Sequence, residues 1–319
     1  MFRNERQMSW SYPIIVPYEV GNIYIEPTNH CNLRCIMCPH SKLKMKEGFM
    51  DWDLFLKIVD DVSSYKPDAF IQLFYVGESL LHPRILEMVR YLKQNNLRIH
   101  LAINATVLNE KMAYGLINAG LDFITFSFDG IDKNTYESIR IGANYESVLE
   151  NILRFLRIKN EEKADIHTVI EIIEMNATKD KIPAFIKRFD GLPVDEIRIK
   201  PFLGWAGTIK YSKMAVKTHS EPNYPCNRPW RMLAITWDGL FLPCCVDSER
   251  KYVMGDAHND SIEDIWNGEK IQYLREKLKN GKCNEIELCR NCKDIEVLSE
   301  RFTFPQINNE HTASTQQGT

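Results

Sequence analysis

Asn22-Ile-Tyr-Ile-Glu-Pro-Thr-Asn-His-Cys31-Asn-Leu-Arg-Cys35-Ile-Met-Cys38 is the stretch on which the reading of this chain turns. Its first five residues read as a short strand, Asn22–Glu26, and the strand runs straight into three cysteines spaced CxxxCxxC. Three thiolates from one tight loop can occupy three corners of a cubane iron–sulfur cluster and leave the fourth iron open. An open position is what a catalytic metal site requires. The same spacing also admits a structural zinc site closed by His30 or His40.

Working outward, apolar runs and turn signals place further strands at Phe70–Val76, Arg98–Asn104, Phe123–Asp129, Ile166–Ile173 and Glu196–Pro201. Helical periods fall between them at Asp51–Ser64, Leu81–Gln94, Asn109–Ala119, Tyr145–Asn160 and Lys179–Phe189. Strands alternating with helices predict an α/β fold of parallel βαβ units. No GxGxxG follows the first strand, so the dinucleotide-binding fingerprint is missing. A partial (β/α)6 TIM-like barrel fits the pattern, with its chemistry at the C-terminal ends of the strands. The expected organisation is an N-terminal segment (1–21), the barrel (22–203), a second small domain (204–300) and a polar tail (301–319).

In that second region, Met232–Trp237 and Leu240–Pro243 flank Asp238-Gly239, a hairpin signal. Ser261–Asn280 reads as one amphipathic helix opened by a Ser261/Asp264 capping box. The chain has nine cysteines, and the six outside the first loop all lie here: Cys226, Cys244, Cys245, Cys283, Cys289 and Cys292. Clustered cysteines in a reducing compartment point to metal binding or chemistry rather than disulfides. Cys226, Cys244, Cys289 and Cys292 form a candidate four-thiolate site, for a second cluster or for zinc. Cys283 reads as a spare thiol. The 319 residues carry a net charge of −3 and are 44% hydrophobic. That balance gives no basic excess for a nucleic-acid partner. With no long apolar run and no signal-peptide pattern, no membrane association is expected and the chain reads as cytoplasmic.

The motifs on successive strands resemble the radical S-adenosylmethionine (SAM) superfamily. Val76-Gly77-Glu78-Ser79 is similar to that family's GGEP, with its first Gly and its Pro replaced. Asn104 in INATVL matches TNGTLL, and Ser127 in SFDG matches SIDG. The resemblance implies a [4Fe–4S] cluster on Cys31, Cys35 and Cys38, and SAM bound through Gly77, Glu78, Asn104, Ser127 and Arg140. Glu78 would take the methionine ammonium, Ser127 the ribose and Arg140 the carboxylate.

The C-terminal pattern resembles the single-cluster "twitch" form of the SPASM domain. It implies a second [4Fe–4S] cluster on Cys226, Cys244, Cys289 and Cys292. The layout as a whole resembles members acting on aminoglycoside precursors, which implies a small-molecule substrate of sugar or aminocyclitol type. Such members dehydrogenate or epimerise a carbinol carbon, and others modify ribosomal peptides. Cys245, directly after a cluster cysteine, is the candidate hydrogen donor of an epimerase, or else a packed small side chain. A reducing flavodoxin- or ferredoxin-type protein is the implied electron donor. Tyr75, Arg198, Lys200 and Trp205 are candidates for contacting the substrate.

Overall fold

A computed structural model of the chain describes residues 21–210, 214–216 and 226–294. Most of the N-terminal segment, the polar tail and parts of the segment between the two cysteine groups lie outside them.

Among the described residues, nine strands form one sheet in the order β6-β5-β4-β3-β2-β1-β7-β8-β9. The first six are β1 (Asn22–Ile25), β2 (Phe70–Gln72), β3 (Arg98–Ile103), β4 (Phe123–Ser127), β5 (His167–Glu174) and β6 (Glu196–Pro201). All are parallel to their neighbours. Helices α1 (Trp52–Tyr65), α2 (Ile85–Gln94), α3 (Glu110–Asn118), α4 (Lys133–Ile139), α5 (Tyr145–Glu161) and α6 (Ile182–Phe189) lie between them. The pleat sorts each strand. In β3, Ile99, Leu101 and Ile103 are buried with the helices, while His100 and Ala102 alternate with them and face the lumen. The result is the expected partial barrel, an open sheet with two edges rather than a closed ring.

Helix starts follow local chemistry. Asp51, Asn109 and Asn144 each accept a backbone N–H in the first turn of α1, α3 and α5. Several boundaries differ from the sequence expectation. β2 ends at Gln72, not Val76: Leu73 N still donates to His100 O (2.9 Å), and then Phe74–Val76 leaves the ladder. A 3-10 turn, Ser79–Leu81, replaces the first part of the expected Leu81–Gln94 helix. Pro83 therefore precedes α2 instead of standing in its first turn. A 3-10 turn, Lys179–Lys181, likewise opens α6. Helix α4 was not expected at all; Asp132 caps it by accepting from Thr135 N.

Beyond the barrel, β7 (Met232–Ile235), β8 (Leu240–Leu242) and β9 (Gly255–Asp256) make the antiparallel part of the sheet. Gly239 takes φ +89° at the hairpin turn, the conformation that the sequence signal required. β7 also pairs in parallel with β1. The hairpin thus extends the barrel sheet rather than packing apart from it. The expected single helix Ser261–Asn280 is two, α7 (Ile262–Asn267) and α8 (Glu269–Lys279), because Gly268 adopts an extended ψ of 166°. The capping box of Ser261 and Asp264 is formed. A short α9 (Glu287–Arg290) carries Cys289.

Glu26 ties these parts together. It is 1% exposed, and its carboxylate accepts from Val76 N and Trp237 N, both at 3.2 Å. Burial pushes its carboxyl from 4.5 up to about 7. Folded, it keeps its proton to higher pH than when unfolded. Its contribution to stability is therefore full below pH 4.5 and is lost as pH rises to about 7. The thermal midpoint of wild type relative to Glu26→Gln, measured across this range, should fall by about 5 °C as pH rises. A pH-independent gap would contradict the assignment.

Candidate functional site

The first cysteine loop leaves β1 and has little regular structure of its own, so neighbouring elements must hold it. Arg34 N and Ile36 N donate to Ile141 O and Ile139 O at the end of α4. Cys35 is buried, and Cys31 and Cys38 are partly so. Burial pushes all three thiols upward. They therefore stay protonated until iron displaces the proton, as thiolate ligation requires. His40 is committed elsewhere: its Nε2 lies 2.8 Å from Asn29 O. His30 Nδ1 faces Glu47 at 2.9 Å. Neither histidine is turned toward the three sulfurs by these bonds.

Gly77 and Glu78 pack directly against this loop. A Cβ on Gly77 would lie 2.1 Å from Thr28 O and 2.8 Å from His30 O, so only glycine lets the two backbones approach. Glu78 N donates to His30 O (2.8 Å). The Glu78 carboxylate, 3% exposed, accepts from Leu80 N and from Asn104 N (2.7 Å). Its burial pushes the carboxyl up to about 7. Asn104 Nδ2 donates to Asn32 Oδ1 (3.0 Å) within the cysteine loop, and its Oδ1 accepts from Thr106. Glu78 and Asn104, singled out at the ends of β2 and β3, are thus brought together over the three cysteines.

Ser127 ends β4, in register with Glu171 of β5. Asp129, two residues on, is fully buried. It accepts from Ile173 N (2.6 Å) and from Arg140 Nε and Nη2 (2.8 and 2.6 Å). Arg140 Nη1 is 4.0 Å from Cys35 Sγ. Arg140 therefore stands at the cysteine loop as expected, but gripped by a carboxylate that sequence reasoning had quoted in SFDG without assigning it a role.

Cys226, Cys244, Cys289 and Cys292 line one pocket with Arg228, Val246, Leu274, Leu278 and Leu288. These are the four cysteines that the sequence grouped as one candidate site. Cys283 is buried beside Asn284 and does not line that pocket. Cys245 takes the other direction. Its sulfur contacts the hydroxyl of Tyr24, which stands on β1 opposite Gln72 and Ala234. The Cys244 thiol donates to Cys245 and pulls the Cys245 thiol down against the upward push of its burial, helped by Arg228, Lys200 and Tyr24. That bond exists only while Cys244 carries a proton.

Lumen residues complete the surroundings. Lys200 Nζ lies 3.5 Å from Glu171, and Arg198 forms two 2.7 Å bonds to Glu196. His100 is bracketed by Gln72 (2.7 Å) and Thr125 (2.8 Å). The Tyr75 hydroxyl is buried without a hydrogen-bond partner, although it was among the expected substrate contacts. Trp205 sits at φ +52° in the loop after β6.

The radical SAM superfamily profile matches residues 25–195, which carry this strand-end constellation. The chain belongs to the radical SAM superfamily. An iron–sulfur cluster-binding domain, SPASM, matches residues 226–293. The enzyme therefore uses SAM and a [4Fe–4S] cluster and carries further iron–sulfur binding in its C-terminal part.

It is 26% identical over 323 residues to a tungsten-containing aldehyde ferredoxin oxidoreductase cofactor-modifying protein of Pyrococcus furiosus, covering 86% of this chain and 89% of that one. It is also 26% identical over 285 residues to the SAM-dependent 2-deoxy-scyllo-inosamine dehydrogenase of Niallia circulans, covering 87% and 94%. Among solved structures, BtrN in complex with AdoMet and 2-DOIA superposes with a TM-score of 0.62 at 21% identity, over 88% of this chain and 95% of that one. Streptococcus suis SuiB bound to its precursor peptide superposes at 0.68 with 13% identity, over 88% and 73%. At these identities the two structures share the fold with this protein.

Gly77→Ala should cost at least about 2 kcal/mol through the backbone clash it forces. The readouts are a lower thermal midpoint and loss of iron from the first loop; a stable, fully loaded Gly77→Ala protein would contradict the close packing.

Proposed function

We propose that this enzyme abstracts a hydrogen atom from a carbon of a sugar or aminocyclitol-type small molecule, and that Cys245 returns a hydrogen to that carbon from the opposite face, inverting it. The observation that carries this reading is the position of Cys245, with its sulfur against Tyr24 on the lumen strand β1 while its neighbour Cys244 lines the second thiol pocket.

When bound, the cluster and SAM supply a 5′-deoxyadenosyl radical. The chain's own residues do the rest. Cys31, Cys35 and Cys38 hold the first cluster. Glu78, kept in place by Asn104 N, accepts the SAM ammonium, and its neighbour Gly77 allows the close backbone approach. Asn104 and Ser127 line the nucleoside side, and Arg140 faces the SAM carboxylate. Cys226, Cys244, Cys289 and Cys292 take all four corners of a second [4Fe–4S] cluster, in a C-terminal unit that we place at residues 204–300. The Cys245 S–H bond is weaker than most C–H bonds, so a substrate carbon radical takes its hydrogen. The sulfur returns to thiol by taking one electron and one proton, the electron coming ultimately from a reduced flavodoxin- or ferredoxin-type donor. Among the described residues no helix is long and apolar enough to cross a membrane. We place the enzyme in the cytoplasm.

A second reading is dehydrogenation of a secondary alcohol to a ketone, supported by the N. circulans relative of that activity. In that case the carbon radical loses a proton and one electron, and Cys245 is not consumed. Modification of a ribosomal peptide has only the shared fold of SuiB behind it.

Anaerobic reconstitution should load about eight irons per chain, and the triple Cys31/Cys35/Cys38→Ala variant about four, with SAM cleavage abolished. With a substrate found by screening aminocyclitols and aminoglycosides, Cys245→Ala should still form 5′-deoxyadenosine but no inverted product. In D2O the wild-type product should gain a single deuterium. A product lighter by two hydrogens establishes dehydrogenation instead, and inversion surviving in Cys245→Ala rules out the donor role.

A further inference from the structure

Arg228 follows Cys226 by two residues, in the 3-10 turn Arg228–Trp230 that leads into β7. Nothing in the sequence marks it. In the structure its side chain is 4% exposed and forms part of the wall of the four-cysteine pocket. Nη1 donates to Cys244 Sγ at 3.3 Å, and Nη2 donates to Asp294 O at 3.4 Å. The sulfurs of Cys226, Cys245 and Cys292 also lie close enough to act on its charge. Much of the remaining wall is aliphatic: Val246, Leu274, Leu278 and Leu288.

Among the described residues this guanidinium makes no ion pair with a carboxylate. The nearby Asp294 side chain accepts instead from Gly204 N (2.6 Å) and Ala206 N (2.8 Å). An arginine cannot shed its proton, and burying its charge costs several kcal/mol unless it is compensated. The Asp294 carboxylate lies near enough to act on Cys226 and Cys292, but neutral thiols against the guanidinium add nothing to that compensation. An anionic four-thiolate cluster does, which fits the arginine to the cysteines.

The same geometry has a redox consequence. Reduction adds one negative charge to a cluster. A fixed cation touching a ligand sulfur, in apolar surroundings, favours the state with more negative charge. A hydrogen bond to that sulfur acts in the same direction, since net charge and hydrogen bonds to sulfur are among the factors that set cluster potentials. We propose that Arg228 raises the reduction potential of the auxiliary cluster and keeps it within reach of the enzyme's electron supply. The inference rests on the assignment of Cys226, Cys244, Cys289 and Cys292 as ligands. It does not depend on whether the substrate is epimerised or oxidised, because either outcome needs one-electron traffic near Cys245.

The test is an EPR-monitored redox titration of the reconstituted holoenzyme, with SAM added to distinguish the first cluster's signal, on wild type and on Arg228→Met, Arg228→Gln and Arg228→Lys. At the wild-type midpoint the ratio of reduced to oxidised auxiliary cluster should fall about tenfold in both neutral variants, about 59 mV for one electron. Arg228→Lys, which keeps the charge, should stay closer to wild type. Unmoved potentials in the neutral variants overturn the proposal. So does loss of auxiliary iron in both neutral variants with an unshifted, loaded Arg228→Lys, which makes the residue one of assembly rather than tuning. A wild type that holds only the first cluster's iron removes the ligand assignment, and this inference with it; the iron count tells that failure apart from the others.

Discussion

The ion pair between Arg140 and Asp129 is the contact on which the first site depends. Asp129 has no exposure and Arg140 only 7%, and the closest approach is 2.6 Å. Asp129 also receives Ile173 N from β5. The cysteine loop lies against the other side of Arg140, within 4.0 Å of its guanidinium and bonded by backbone to Ile139 and Ile141. One charge pair therefore fixes two barrel strands, the end of α4 and the cysteine loop. Removing either partner strands a buried charge, at a cost of about 3–5 kcal/mol. Glu78 makes the complementary tie from the other side, through His30 O and Asn104 N. A loop of irregular backbone can hold three thiols in place because both its flanks are pinned by buried polar bonds that have no competing water.

A second constraint comes from the sheet. β7 pairs with β1 along its whole length, so the hairpin carrying Cys244 and Cys245 is registered directly against the strand that leads to Cys31. Glu26 bonds across the same seam to Trp237 N. Two adjacent residues then take opposite duties by direction alone. Cys244 lines the four-thiol pocket and Cys245 meets Tyr24 on the barrel side. A flexible linkage between the two parts would not keep that division. Continuous hydrogen bonding along β1 and β7 holds the hairpin, and with it the turn after β8, at one register against the barrel.

Much of this was legible in the sequence because it is carried by local pattern. The βα alternation, the Asp238-Gly239 turn, the Ser261/Asp264 box and the CxxxCxxC loop are short-range signals. What escaped was decided at long range or by competition. The apolar run Phe70–Val76 reads as one strand, yet Glu26 captures Val76 N and draws the end of the run out of the ladder. Ser261–Asn280 has one helical period throughout, but Gly268 breaks it in two. The pairing of β7 with β1 joins residues some 200 apart, and no local rule encodes it. Asp129 and Arg228 were passed over for the same reason. Each is an ordinary residue type whose importance comes from burial beside a cysteine that only the fold brings near.

Those two residues also explain why the thiol sites are not equivalent. Each has an arginine against a cysteine sulfur: Arg140 beside Cys35 and Arg228 beside Cys244. At the first site Asp129 pairs directly with the arginine and offsets part of its charge at Cys35. Cleaving a sulfonium by one electron needs a strongly reducing centre, and an offset cation favours a low potential. At the second site the guanidinium meets only sulfur and a backbone carbonyl among the described residues. The buried Asp294 carboxylate, bonded to Gly204 N and Ala206 N, opposes that charge at Cys226 and Cys292, whereas Cys244 takes the guanidinium's hydrogen bond directly. If Arg228 raises the second potential as proposed, electrons run downhill from the first cluster toward the second. A carboxylate paired directly with one arginine, and bonded to backbone amides beside the other, is the difference on which that proposed order rests.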